Sequence, residues 1–328
     1  MTVLVTGATG FIGSNLVREL LADGETVRVL ARPASDHTAI SGLHVELAEG
    51  NLRDAASLRE ALQGCREAYH AAAHYSFWPP DHRLTHQVNV LGTRAFLAAA
   101  RETGVRRVVY TSSSATIGLP KDGSPGNEST PVRVRDMQAG YKRSKYLAEQ
   151  EALRANGNGL EVVIVNPTAP MGPWDVKPTP TGRIVVEVLR GRMSGYVDTG
   201  LNIVHVRDVA RGHIQAMRRG KAGERYVLGN RNMSLLEICQ TIARIAGCRS
   251  PRRRIPYLVA LLYAYAEETV TGRLLRRTPR ATVAEVKLSR KHMYFDSSRA
   301  VQELGMPQTP PEQAFADAIT WCRAHGFA

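Results

Sequence analysis

The opening run MTVLVTGATGFIGSNL constrains the fold more than any other stretch of the chain. An apolar, β-rich segment at residues 2–6 runs straight into Gly7, Gly10 and Gly13, which open a segment of helical period over 11–22. Glycine at a strand-to-helix junction lets the backbone approach a pyrophosphate, whose charge is favoured by free N–H groups and the positive end of the helix dipole. A lone glycine triplet is weaker, because turns and helix starts also collect glycine. Thr9, Phe11 and Ile12 share the loop and helix start and join the candidate cofactor site.

The alternation continues. Short β-rich runs at 26–32, 43–47, 68–71, 107–111 and 161–166 are separated by helical patterns at 55–63, 84–103 and 141–155. Strands that alternate with crossover helices form a parallel sheet, so the expected fold is α/β, a doubly wound parallel Rossmann sheet with a smaller, mostly helical C-terminal substrate domain. The expected division is 1–166 for the dinucleotide-binding domain, completed by about 204–228, with 167–203 and 229–328 forming the substrate region. HVRDVARGHIQAMRRG reads as a helix, RYVLG as a short strand and SLLEICQTIARIAG as an amphipathic helix. The segment from Asn166 to Arg183 is rich in proline and reads as extended and surface-running, before a short helix near 184–192.

Composition narrows the function. The net charge is +13, from 43 Lys and Arg against 30 Asp and Glu, which suits a phosphorylated ligand, anionic lipid or nucleic acid. No aromatic-interleaved basic motif or recognition-helix pattern supports nucleic acid. Cys65, Cys239, Cys248 and Cys322 lack metal-ligand spacing, so no metal site is expected. No apolar run approaches the ~20 residues that span a bilayer, and no secretory signal is present, which reads as a cytoplasmic protein.

GYKRSKYLAEQE sets Tyr141 and Lys145 four apart at the head of a helix. Alone the pair fits a helix face with Lys145 bonded to Glu149, although lysine N-terminal to glutamate is the poorer orientation. RRVVYTSSSATIG supplies a third group: a β-branched strand running through Thr111 into Ser112, Ser113 and Ser114. In a parallel sheet this run emerges at the carboxyl edge, where the glycine loop also lies. A phenol of ordinary pKa ~10 is a poor base at neutral pH, and an adjacent ammonium lowers it. Tyr141 then exchanges a proton with a substrate oxygen that a serine also binds, while Lys142 and Arg143 fall off that face towards solvent.

TGATGFIG, Arg32, NVLGT, YTSSS and YKRSK occur in the order found in the extended short-chain dehydrogenase/reductases. The chain resembles the dihydroflavonol-4-reductase-like branch and, within it, the hopanoid-associated sugar epimerase family; DVKPTPTGR, YVDTGLNIVHVRDVA and GERYVLG extend the likeness over nearly its whole length. The resemblance implies an NAD(P)-binding Rossmann domain, a Ser-Tyr-Lys site and a homodimer. It implies catalytic roles for Tyr141 and Lys145, with Lys145 also holding the nicotinamide ribose. Strand register selects Ser113 as the serine, and counting back from Thr116-Ile117 selects Ser114. Sugar 4,6-dehydratases of the superfamily carry Asp-Glu after this serine; Ser114 and Ala115 stand there here, which disfavours dehydration and leaves reduction, oxidation and epimerisation.

The remaining candidates follow the same frame. Arg32 ends the second strand, where an arginine suits the 2′-phosphate of NADP; nearby Asp36 keeps NAD open through a ribose hydroxyl. Asn51 and Leu52 face the adenine position, and Ala71, Ala72 and Ala73 let the cofactor lie close to the backbone or pack sheet against helix. Thr111, Pro167 and Thr168 complete the cofactor set, and the asparagine of NVLGT ties helix to sheet. His74, Ser114, Lys177 and Arg183 are candidate substrate contacts, Tyr75 and Trp78 candidate pocket walls, and His205 and Asp208 helix anchors. IPYLVALLYAYAEETV, flanked by basic clusters, reads first as a core helix of the small domain and alternatively as a peripheral contact with anionic membrane.

Overall fold

The computed structural model describes residues 2–134, 137, 140–275, 279 and 281–327. In chain order its strands are β1 (Thr2–Thr6), β2 (Thr26–Ala31), β3 (Glu46–Glu49), β4 (Glu67–His70), β5 (Arg107–Thr111), β6 (Glu161–Pro167), β7 (Ala169–Met171), β8 (Gly195–Tyr196), β9 (Gly200–His205), β10 (Arg225–Leu228), β11 (Arg231–Ser234), β12 (Arg253–Arg254) and β13 (His292–Met293). The helices are α1 (Phe11–Ala22), α2 (Ala55–Leu62), α3 (His82–His86), α4 (Gly92–Glu102), α5 (Gly140–Ala155), α6 (Pro180–Leu189), α7 (Val206–Arg219), α8 (Leu235–Ala246), α9 (Tyr257–Glu267), α10 (Val283–Leu288) and α11 (Pro311–Ala324).

The central sheet is parallel, in the order β10-β6-β5-β4-β1-β2-β3. All its strands but the edge strand β3 are largely buried on both faces, and the two-residue period of the side chains divides them. Val3, Val5, Val109, Val163 and Val165 pack against α1 and α7, while Leu4, Val108, Tyr110, Val162 and Ile164 pack against α2, α4 and α5. Each fully buried aliphatic side chain contributes about 1.5–3 kcal/mol by leaving water, which is why helices must cover both faces. The strand order reverses between β1 and β4, so the crevice at their carboxyl ends is where such a sheet binds ligands.

This is the doubly wound sheet expected from the sequence. Several boundaries differ: the short helix expected near 184–192 is α6, which starts at Pro180 because Thr179 caps it through Gly182 N, and strand ends shift by a residue. The helix expected over 84–103 begins at His82 and passes through a π turn, Gln87–Leu91, before α4. β3 lies at 46–49 instead of 43–47, because it is a polar edge strand registered on β2 by pairing Arg28 with Glu46, whose Nε–Oε1 distance is 2.8 Å.

The C-terminal region carries helices α6, α8 and α11 around a second sheet that periodicity did not reveal. It runs β11-β9-β13, and β7 also pairs with β9. Asn202 explains how such short strands hold together. Its buried Nδ2 donates to Asn232 Oδ1 at 2.8 Å and to Phe295 O at 3.1 Å, and its Oδ1 accepts from Asn230 N at 2.9 Å and Thr168 Oγ1 at 3.0 Å. His205 and Asp208 are anchors, as read: His205 Nδ1 caps α7 through Arg207 N, and Asp208 accepts from Thr309 N and Oγ1.

One expectation is overturned. α9 is not a core helix, for among its residues Ala264 alone is buried. An aliphatic stripe ordinarily means burial, but here α10 packs against one side only and most of the stripe stays exposed.

Replacing Asn202 with leucine leaves several buried polar groups unpaired, each costing about 1–3 kcal/mol. Urea denaturation of Asn202→Leu should therefore show a stability loss of about 2–4 kcal/mol; an unchanged midpoint would remove Asn202 as the tie that holds the second sheet together.

Candidate active site

The glycine loop follows β1 directly. Gly7 has φ of +74°, and a Cβ there would lie 2.6 Å from Ala72 N and 2.7 Å from Ala71 C, so the loop touches the end of β4 without a side chain between. A Cβ on Gly13 would collide with the carbonyl of Gly7. α1 begins at Phe11 with no side-chain cap, which leaves its first amides for an anion. Small residues at Ala71 and Ala72, backbone-bonded to Thr6 O and Oγ1, keep this cradle shallow, and the exposed Ala73 follows. The loop therefore fits a dinucleotide's pyrophosphate.

Asn51 Oδ1 is committed to Arg53 N at 3.0 Å, leaving Nδ2 to donate. Leu52 is buried in the core against Gly92, so it lies beneath the surface on which an adenine would rest. Arg32 is exposed at the end of β2. Asp36 Oδ1 binds its own turn through Thr38 N and Oγ1, and its Oδ2 lies 3.8 Å from Lys177 Nζ. Lys177, expected on the substrate side, thus stands beside the loop that follows β2.

Across the crevice β5 delivers the serine run. Ser112 is buried, with Oγ donating to Glu149 Oε2 at 2.5 Å. Ser113 is extended at φ −163°, its Oγ accepts from Ala115 N at 3.1 Å, and its side chain faces the Tyr141 phenol, whose pKa it lowers. Ser114 is buried at the start of a 3-10 turn. Of the two candidate serines, Ser113 is the one that meets the tyrosine.

α5 carries Tyr141 and, one turn on, Lys145. Lys145 Nζ does not pair with Glu149. It donates to Thr111 O at 2.7 Å and to Tyr110 Oη at 2.9 Å. Glu149 is instead a fully buried carboxylate whose Oε2 accepts from Ser112, from Thr116 Oγ1 at 2.7 Å and from Asn166 Nδ2 at 2.9 Å, with Arg225 Nη1 at 3.2 Å from Oε1. Burial pushes the Tyr141 phenol up to about 12 against the lowering effect of Ser113, and burial holds the Lys145 ammonium down at about 7 against the raising effect of Glu149. Lys142, expected in solvent, is half-buried near Lys291 and is lowered to about 8 by desolvation and then by that charge; Arg143 is exposed as expected.

The segment after β4 forms one wall. Asn89, buried in the π turn, accepts from His74 N at 2.7 Å and donates to His74 O at 3.0 Å and Ser144 Oγ at 2.9 Å, so the asparagine of NVLGT ties its helix to the segment that follows β4 and to α5. His74 Nε2 is buried with no partner among the described residues. Tyr75 and Phe77 rings lie 4.4 and 5.6 Å from that of Tyr141, whereas Trp78 turns away to pack on Gly272. Arg183 is exposed, 3.9 Å from Glu285. Thr168 is spent on Asn202, and Pro167 is buried at the end of β6. Thr111 Oγ1 donates to His213 Nε2, which burial keeps neutral.

Sequence reasoning missed Glu149, Tyr110 and Phe77. Glu149 had a signal: it lies two turns after Tyr141 on the same helix face, where a surface residue was assumed.

Residues 3–229 match the model of the NAD dependent epimerase/dehydratase family. A Synechocystis sp. protein provisionally named a dihydroflavonol 4-reductase is 47% identical over 98% of this chain and 95% of its own. Sterol demethylase protein B of Methylococcus capsulatus is 40% identical over 100% of both chains. The crystal structure of gox2253 superposes with a TM-score of 0.88 at 44% identity, over 99% of both chains.

A lysine lowered to about 7 takes up its proton less readily folded than unfolded, so between that value and the ordinary ~10.4 the unfolded chain binds more protons and stability rises with pH. Denaturation of the protein without cofactor between pH 7 and 10 should show this rise, at up to about 1.4 kcal/mol per pH unit. Lys145→Met should show a shallower slope, and equal slopes would mean that Lys145 is not desolvated.

Proposed function

Because the chain belongs to the NAD dependent epimerase/dehydratase family, within the extended short-chain dehydrogenase/reductases, and is an NAD(P)-dependent enzyme of the reductase and epimerase kind, we propose that it moves a hydride at a carbinol or ketone carbon, with Tyr141 as acid/base. The observation that carries this reading is the Ser113 side chain facing the Tyr141 phenol and lowering its pKa, one helical turn from a buried Lys145 held by Thr111 O. Gly7 to Gly13 would hold the dinucleotide's pyrophosphate, with Ala71 to Ala73 leaving it room, Asn51 offering its free amide to the adenine, Lys145 and Thr111 serving the nicotinamide ribose, and Pro167 and Thr168 bordering the ring through their backbone. When bound, its nicotinamide supplies or accepts the hydride.

Everything else is done by this chain's own groups. Tyr141 keeps its proton in the free protein, because burial raises its pKa to about 12. A protonated phenol is an acid that can give its proton to a ketone oxygen, and the phenolate left behind is the base for the reverse step. Ser113 donates to the same oxygen and fixes its direction. Lys145 sits one turn away; when charged it stabilises the phenolate left after transfer. Tyr75 and Phe77 exclude water from the pair. That aromatic wall suits a flat apolar ring system, as does the sterol in the name of the 40% identical relative, so the substrate class we infer is a polycyclic isoprenoid-like ketone or alcohol in preference to a sugar. His74, Ser114 and Arg183 border this space as substrate contacts.

NADP is the cofactor in this reading. Arg32 is exposed without a partner among the described residues, and Lys177 stands close to Asp36, so two cations flank the ribose end while the aspartate is spent on its turn. The free, unpaired cysteines accord with a cytoplasmic location, and exposed Leu91 at the start of α4 accords with a homodimer through the long helices.

Tyr141→Phe should lose about 10²–10⁴-fold in turnover with NADPH binding retained, and Ser113→Ala should lose more than Ser114→Ala. A phenylalanine variant with normal turnover would sink the mechanism. For the cofactor, Arg32→Ser should weaken NADPH by about tenfold and NADH hardly at all; equal weakening of both would remove Arg32 from the 2′-phosphate.

A further inference from the structure

The proposed chemistry makes no use of α9, whose sequence YLVALLYAYAE is apolar on every face. A helix of that kind is ordinarily buried. Here Leu258 and Leu262 are each 69% exposed, and Val259, Tyr263, Tyr265 and, in the π turn that follows, Val270 are at least half exposed. A contiguous apolar surface of this size marks a binding site. The helix is fixed to the body from one side only, with Val283 N donating to Glu268 Oε1 at 2.8 Å, the Trp78 ring against Gly272, and the Arg290 guanidinium 5.2 Å from the Tyr257 ring.

Charge identifies the occupant. Between residues 249 and 291 the chain has eleven Lys and Arg against three Glu, a surplus of eight out of the net +13. Arg252, Arg253, Lys287 and Arg290 are exposed around the helix.

We propose that α9 and the π turn after it form a docking face for an anionic phospholipid bilayer, with Leu258 and Leu262 sunk into the acyl boundary and the flanking arginines on headgroup phosphates. Eleven residues rise only ~16 Å, about half the hydrocarbon thickness, and among the described residues no helix is long and apolar enough to cross a membrane, so the helix lies in the interface plane. Tyrosines suit that depth, where the ring is apolar and the hydroxyl wet. A second copy of the chain fits less well, because a two-fold contact would press two basic clusters together, whereas anionic headgroups neutralise them.

The face adjoins the candidate active site. Trp78, seated on Gly272, belongs to the segment whose Tyr75 and Phe77 cover Tyr141. An apolar ring ketone dissolved in the bilayer therefore has a short path to the site. That path rests on the function proposed above; the docking does not.

The test is sedimentation of the full chain with vesicles of phosphatidylcholine, with and without phosphatidylglycerol, at low and physiological salt. The protein should pellet only with the anionic vesicles and less so as salt rises. A Leu258→Glu/Leu262→Glu variant with an unchanged melting temperature should bind about tenfold more weakly or less. Should that variant misfold, Arg252→Glu/Arg253→Glu takes its place, with the same loss expected. Absence of pelleting at low salt overturns the proposal, as do variants that pellet like the wild type. A wild-type dimer that the leucine variant converts to monomer, with no vesicle binding by either, gives the face to a second copy and equally overturns it. Failure of the catalytic reading looks different: no turnover of soluble ketones while sedimentation is retained.

Discussion

The carboxylate of Glu149 is the constraint on which the rest of the site depends. A buried charge is tolerable only when it is fully hydrogen-bonded and paired. Its partners come from four places in the chain: Ser112 at the end of β5, Thr116 in the turn beyond, Asn166 on β6 and Arg225 on β10. Glu149 itself is on α5. Satisfying it therefore pins the helix that carries Tyr141 and Lys145 to the strand that carries Ser113. The same carboxylate raises Lys145 against the effect of its burial, so one interaction sets both position and charge.

Burial acts oppositely on the two groups. It lifts the phenol of Tyr141 and lowers the ammonium of Lys145, since in each case the charged form loses water. The free protein thus holds its proton on the tyrosine, where a ketone oxygen can receive it. Thr111 O and Tyr110 Oη hold the lysine in place before any ligand arrives. Preorganised groups of this kind need no rearrangement when charge develops.

Much of this was legible beforehand. The glycine loop, the alternation of strands with helices and the serine, tyrosine and lysine segments are each local patterns, and local patterns survive in a linear reading. That Asn89 serves as a tie was readable for the same reason. The neighbour of Lys177 was not readable, because a flexible lysine on a proline-rich segment goes where the backbone turns, here to within 3.8 Å of Asp36. Trp78 was assigned to the pocket wall, yet its partner, Gly272, lies far along the chain. The second sheet escaped because its strands are short and held together by Asn202, not by an alternation of their own. α9 was taken for core because apolar composition cannot say whether anything covers it.

The sequence by itself determined the parallel sheet, the dinucleotide loop and the set of reacting residue types, because periodicity, glycine placement and residue chemistry act over a few neighbouring positions. Only the tertiary structure decided that Ser113 and not Ser114 meets Tyr141, that Lys145 hydrogen-bonds Thr111 and Tyr110 and feels Glu149 only as a nearby charge, and that α9 faces outward. Each of these depends on which distant segments share a surface. Burial, and with it the protonation of Tyr141 and Lys145, is a property of that assembly and not of any stretch of chain.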